Sequence, residues 1–95
     1  MNKLIKSIED WAYDKNICNQ VTQASKTVSE SSELLEGCIK NDKTEIIDGI
    51  GDVLVTIIIQ ADIQGVTLEH CLEHAWNEIK DRKGKTVNGL FIKDK

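Results

Sequence analysis

Apolar residues recur along the chain at helical spacing in four segments. Leu4, Ile5, Ile8, Trp11 and Ala12 place a first helix over Lys3–Lys15. Val21, Ala24, Val28, Leu35 and Ile39 form the apolar stripe of a second, over Asn19–Lys40. A third covers Lys43–Gln64, with Gly65 as its C-cap. The fourth covers Leu68–Lys83, opened by Thr67 as N-cap and ended by Gly84. The link between the second and third helices is short, so these two are expected to form an antiparallel hairpin. Asn88-Gly89 between apolar residues signals a turn in the tail, hence a small β-hairpin or an extended arm.

The third helix has an unusual pattern. Ile46, Ile47, Ile50, Val53, Leu54, Ile57 and Ala61 cluster on one side of the helical wheel, while Val55 and Ile59 lie opposite. A helix apolar on both sides is buried from two directions. One domain of 95 residues is expected here. A domain of that size buries only about 60–65% of the surface its unfolded chain exposes, and covers such a helix with difficulty. The expected architecture is therefore all-α, an antiparallel four-helix-type bundle completed by homo-oligomerisation as a homodimer or homotetramer.

Asp48 and Asp52 are an i, i+4 pair in line with Val55 and Ile59. A carboxylate at the edge of a buried face costs several kcal/mol unless it is paired or bound to a metal. Two neighbouring carboxylates also repel, and a cation between them resolves both problems. The bland alternative is an acid suited to the positive end of the helix dipole. It fits Asp48 better than Asp52, which lies more than two turns in. Glu30 and Glu33 are i, i+3 neighbours on the second helix, facing away from its Val28/Leu35 stripe. Alone they describe a solvated face. Antiparallel pairing brings them level with Asp48 and Asp52, and four carboxylates suit a hard divalent cation such as Mg²⁺ or Mn²⁺. Glu36 and Glu45 lie nearby in the sequence.

Composition narrows the function. The net charge of −4 argues against a nucleic-acid partner. The positive charge is uneven: Lys80, Arg82, Lys83 and Lys85 crowd the C-terminal region, as a local anion site or as cations suited to a helix C-terminus. The aromatic residues are few, and proline is absent, which favours long uninterrupted helices. Cys18, Cys38 and Cys71 form no C-x-x-C and read as free thiols in a reducing cytoplasm. The charged start MNKLIKSIEDW does not read as a signal peptide, and the run VLVTIII is too short to span a membrane. His70-Cys71-Leu72-Glu73-His74 is a literal H-x-x-E-H zinc-peptidase signature. A chain this small lacks room for the third ligand and the cleft that such chemistry needs, so the two histidines read as surface residues.

The order acid-x-x-acid, short link, acidic pair, apolar helix resembles the MazG-like all-α nucleoside triphosphate pyrophosphohydrolases of the small phage and Gram-positive type. Their signature is E-E-x-x-E on one helix and E-x-x-D on the next. Glu30 and Glu33 match the last two acids of the first motif, where Ser29 replaces the first Glu. Asp52 matches the Asp of the second motif, Gly49 stands at its Glu, and Asp48 is the neighbouring substitute. EDWAYDKNI and NEIKDRKGKTVNGLFIKDK also look like the family's opening and ending, so the likeness covers nearly the whole chain.

The resemblance implies hydrolysis between the α and β phosphates of a nucleoside or deoxynucleoside triphosphate, giving a monophosphate and pyrophosphate. It implies Mg²⁺, with Mn²⁺ as a substitute, held by Glu30, Glu33, Asp48 and Asp52. Glu30, Glu33 and Asp52 are the implied catalytic acids, with Glu30 favoured as base. Lys80, Arg82 and Lys83 would meet the triphosphate. Asn77 would meet a base edge or sugar. Trp11 would either stack on a base or pack in the core, and Lys26 would meet a phosphate or pair with Glu30. The competing expectation is a helical oligomer that binds nucleotide or metal without turnover, motivated by Ser29 and Gly49.

Overall fold

The computed structural model describes residues 1–94. Four helices are followed by one hairpin: α1 Asn2–Asp14, α2 Gln20–Lys40, α3 Lys43–Ile63, α4 Leu68–Ile79, β1 Gly84–Val87 and β2 Leu90–Lys93. The caps explain the boundaries. Asn19 accepts hydrogen bonds from the backbone N–H of Val21 and Thr22, which starts α2 at Gln20. Asn41 adopts a left-handed conformation that ends α2, and Asp42 caps α3 through the Glu45 N–H. Thr67 caps α4 through the His70 N–H, as its sequence position predicts. The fourth helix is shorter than its apolar pattern suggests. It ends at Ile79, and Gly84 begins a strand instead of terminating the helix. Lys80 caps that end, and Arg82 and Lys83 lie beyond the helix. Asn88 and Gly89, with φ of 52° and 80°, make the tight turn between β1 and β2.

The hairpin of α2 and α3 is the frame. Its interface is built largely from small and polar residues. A Cβ on Gly37 would lie 3.1 Å from Glu45 Cβ, and one on Gly49 would lie 3.0 Å from Leu34 Cα, so the helices approach closely near their link. Further along, buried Gln23 donates from Nε2 to the Thr56 carbonyl at 3.1 Å. The Thr27 hydroxyl donates to Thr56 Oγ1 at 2.8 Å, and the Thr56 hydroxyl donates to the Val53 carbonyl at 2.7 Å. At the open end Gln60 and Gln64 both reach Gln20. The contact face of α2 is thus Gln23, Thr27, Glu30, Leu34 and Gly37.

The expected apolar stripe of α2 does not meet the chain's own core. Val28 is 68% exposed and Leu35 61% exposed, and Val21 and Ile39 are also open. On α3, Ile50 and Leu54 are 49% and 41% exposed. Each of these pairs follows the contact residues Thr27, Leu34, Gly49 and Val53 by one position. In two antiparallel right-handed helices, a step of +1 from the contact line turns both helices to the same side. Val28, Leu35, Ile50 and Leu54 therefore share one face of the hairpin. The step of −1 gives the other face: Lys26, Glu33 and Glu36 on α2, and Asp48, Asp52 and Val55 on α3.

Helix α1 packs on α3 at that second face, where Ala12, Ile58, Ile59 and Ala61 make the buried core. Helix α4 touches α3 alone at the backbone level, and β1 and β2 touch only each other. The radius of gyration is 15.6 Å, against about 12 Å for a compact chain of this length. The described chain is all-α apart from its terminal hairpin, with α4 and that hairpin extending away from the other helices.

Candidate active site

An acidic cleft of about 230 Å³ opens between α2 and α3, lined by Glu33, Glu36, Lys40, Glu45, Asp48, Gly49 and Asp52. The helix registers place these residues. Gly49 brings α3 against Leu34, so the residues one step back on each helix splay onto the same face. Glu30 sits at the helix contact behind the cleft. Its side chain is only 11% exposed, and Lys26 pairs with it at 3.0 Å.

The electrostatics follow from crowding. The hydrogen bond and charge of Lys26 hold the Glu30 carboxyl below its ordinary value, with a further hydrogen bond from Glu33 acting the same way. Glu33 moves in the opposite direction. The adjacent Glu30 carboxylate raises its proton affinity by hydrogen bonding and by repulsion, and Asp52 adds to the repulsion. Lys26 is raised by Glu30 first, and further by the charges of Glu33 and Asp52. Three of the four predicted acids therefore act on one ammonium group.

Asp48 and Asp52 are exposed side chains on the cleft wall, not groups at the edge of a buried face. Their location relieves the desolvation cost expected from the sequence and leaves their oxygens free to rotate. Among the described residues, no three His, Cys, Asp or Glu side chains are grouped tightly enough to chelate one ion as they stand. The donor chemistry nevertheless suits a hard divalent cation. The donors are all carboxylate oxygens, and the cleft sets five acidic side chains against one lysine.

Trp11 lies near this face. With Leu4, Ser7, Ile8 and Val55 it lines an apolar groove, and Val55 is one helical turn beyond Asp52. Trp11 is about half exposed, so it is not simply a core residue. Asn77, Lys80, Arg82 and Lys83 are not brought to the cleft: no residue beyond Asp52 lines it. Sequence reasoning missed Lys40, which reaches Glu45 at 3.7 Å across the interhelical link and adds a cation to the cleft. Its signal was available, because the last residue of one helix and the third residue of the next face each other across a tight link. His70 and His74 are exposed on α4, and the Nε2 of His74 lies 3.3 Å from Glu78.

Residues 19–87 match the MazG nucleotide pyrophosphohydrolase domain. The chain belongs to this family. The matched span contains the whole acidic cleft and β1. A protein from Haemophilus phage HP1, described as an uncharacterized 18.2 kDa protein in the rep-hol intergenic region, is 41% identical over 64 residues. That alignment covers 64% of this chain but 39% of the phage protein, so this chain corresponds to well under half of its relative. No solved structure matches. No helix among the described residues is long and apolar enough to cross a membrane.

Proposed function

We propose that the protein is a divalent-metal-dependent pyrophosphohydrolase, which cleaves a nucleoside or deoxynucleoside triphosphate to a monophosphate and pyrophosphate. The observation that carries this reading is the meeting of Glu33 and Glu36 from α2 with Asp48 and Asp52 from α3 in one cleft, inside the matched MazG span. Glu30, Glu33 and Asp52, with Asp48 as the fourth, are the residues that would hold Mg²⁺ or Mn²⁺. A divalent cation, when bound, neutralises phosphate charge and acidifies water. The chain's own part is to position the substrate and move a proton. A carboxylate that stays ionised can accept a proton from water. Glu30, held low by Lys26, has that property at neutral pH, and Glu33 is the less suited of the two. The groove of Trp11 and Val55 offers an apolar face for a base one turn from Asp52. The match to a phage protein favours a role in phage nucleotide metabolism. The single helical domain extends in this reading over residues 1–95, since α1 supplies Trp11 and part of the core.

Two copies are part of the same proposal. The open face of Val28, Leu35, Ile50 and Leu54 is apolar on both hairpin helices, and pairing it with its own copy would complete a four-helix core. A homotetramer would add a second such pairing. The test is chromatography of a triphosphate panel after incubation with protein and Mg²⁺, with and without chelator. Monophosphate and pyrophosphate that disappear with chelator and in Asp52→Asn are expected. Diphosphate and phosphate as products, or no product with any triphosphate, would overturn the reading. The latter result would favour the nucleotide-binding oligomer, for which a rise in melting temperature with nucleotide is the signature.

A further inference from the structure

The chain has two histidines, and both lie on α4, at positions 70 and 74. Four residues turn an α-helix by about 400°, so the two rings stand on one face, one turn apart. That face is the outer one. Leu68, Leu72 and Trp76 line the groove that α4 shares with Met1 and Ile5 of α1, and His70 and His74 each lie about 160° around the helix from Leu72. Both histidines are exposed, and neither lines the acidic cleft. Glu73, the acid of the H-x-x-E-H sequence, lines the α1 groove instead. Glu78 is the carboxylate that meets the pair: its Oε1 stands 3.3 Å from Nε2 of His74.

We propose that His70 and His74 chelate one first-row transition-metal ion of the Zn²⁺ class on the outer face of α4, at a site separate from the acidic cleft. Imidazole nitrogens suit Zn²⁺, Ni²⁺ and Cu²⁺, whereas carboxylates and water suit Mg²⁺ and Mn²⁺, so ligand type sorts the ions between the two places. Glu78 is a positioning residue. A carboxylate beside Nε2 of His74 holds the ring proton on that nitrogen and leaves Nδ1 for the ion, as metal-bound histidines are commonly held. The contact of 3.3 Å is just beyond ordinary hydrogen-bond length and closes by rotation of two exposed side chains. Water completes the shell, since among the described residues no group of three His, Cys, Asp or Glu is formed. Cys71 is turned about 60° from His74 and about 100° from His70, outside the line between the rings. The chelate also has a structural consequence. The rings meet only while residues 70–74 are helical, so the ion closes a turn of α4. That helix has 12 residues, a length at which a helix without extensive packing is marginal.

The site does not depend on the reaction proposed for the cleft, and its test needs no turnover. The two imidazole rings are followed by NMR while Zn²⁺ is titrated into the full chain, with Mg²⁺ in excess to satisfy the cleft. Both rings should shift together and saturate at one ion per chain, with His74 bound through Nδ1 and protonated at Nε2. His70→Asn should weaken binding at His74 by about tenfold or more, and His74→Asn should do the same at His70, because even an outer-shell partner is worth that factor. Rings that titrate independently, or wild-type affinity no greater than that of the single-histidine variants, would overturn the chelate. Loss of the zinc response in Asp52→Asn or Cys71→Ser would move the ion to the cleft or to the thiol and overturn it as well. Glu78→Ala should weaken binding by about tenfold and, before zinc is added, let the His74 proton redistribute between its two nitrogens. Unchanged ring nitrogen shifts in that variant would overturn the positioning role. Backbone amides of α4 should exchange at least about tenfold more slowly at saturating Zn²⁺ than in Mg²⁺ alone. Unchanged exchange would overturn the bridge between turns.

Discussion

A Cβ at Gly49 would lie 3.0 Å from the Cα of Leu34, so α3 leans on α2 at a point where an added side chain would crowd the partner helix. The resemblance aligns position 49 with the Glu of E-x-x-D, and the close contact would give glycine there a structural meaning. Gly49→Ala is expected to lose about 1 kcal/mol, because the crowding of backbone atoms outweighs the roughly 1 kcal/mol that alanine gains over glycine in a helix. Gly49→Glu should destabilise further and should not restore a ligand. Gly51→Ala is the control: nothing lies within 4 Å of its added methyl, so it should stabilise by about 0.5–1 kcal/mol. Urea unfolding of the three variants measures this, and a stabilised Gly49→Ala would disprove the tight contact.

Thr56 is the second lock between the hairpin helices. It is 3% exposed, its hydroxyl accepts from Thr27 and donates to the Val53 carbonyl, and its own carbonyl accepts from Gln23. Thr56→Val keeps the shape and removes the hydroxyl, which should lower stability by about 1–2 kcal/mol. Thr56→Ser, which retains the hydroxyl, should recover much of that loss. Equal losses in the two variants would assign the effect to the methyl group and not to the hydrogen bonds.

The helices and the terminal turn were legible because they rest on local chemistry: the cap at Thr67, the Asn88-Gly89 turn, and the helical period of the apolar residues; Asn19, read as the first residue of the second helix, is instead its cap. The meeting of Glu33 with Asp48 and Asp52 in one cleft was legible from the short link, whereas Glu30 lies behind that cleft, paired with Lys26. Which face of α2 touches α3 was not. The contact residues Gln23, Thr27, Glu30 and Gly37 are polar or small, so hydrophobicity points to the other side, where Val28 and Leu35 remain open. The spacing of Gln23, Glu30 and Gly37 by seven residues carried the true register. The length of α4 was misread for a similar reason. Lys80, Asp81, Arg82 and Lys83 continue the helical pattern, but all four are exposed, and Lys83 instead accepts from the Asp94 N–H at the base of the hairpin, so no packed face extends the helix past Ile79.

The open face predicts where two copies would pair. Burying a Val, Leu or Ile side chain contributes about 1.5–3 kcal/mol, so Val28, Leu35, Ile50 and Leu54 from each of two chains suffice for stable pairing. Leu35→Glu puts a charge at the centre of that face. It should yield monomers in analytical ultracentrifugation and leave the far-ultraviolet helix signal unchanged, since Leu35 is 61% exposed within its own chain. A variant that still sediments with the wild type would place the interface elsewhere.

The Glu30–Glu33 pair predicts how stability depends on pH and metal. Glu33 binds its proton more tightly in the folded chain than at its ordinary value of 4.5, because the Glu30 carboxylate lies beside it and Asp52 adds repulsion. Between that value and the raised one, the folded state holds more protons than the unfolded state, so stability falls as pH rises through this window. Above the window the full repulsion remains. Glu33→Gln removes the charge and can still donate a hydrogen bond to Glu30. In chelator at neutral pH the variant should therefore melt higher than the wild type, and the difference should fade as pH drops below 4.5, where Glu33 is protonated in both states. Addition of Mn²⁺ should reverse the order, because the wild type gains a cation between its acids and the variant has lost one ligand. Melting curves of both proteins, with chelator and with Mn²⁺, decide it. A Glu33→Gln variant less stable than the wild type in chelator would show that Glu33 supports the fold, and that the crowding of carboxylates is not held in readiness for a metal.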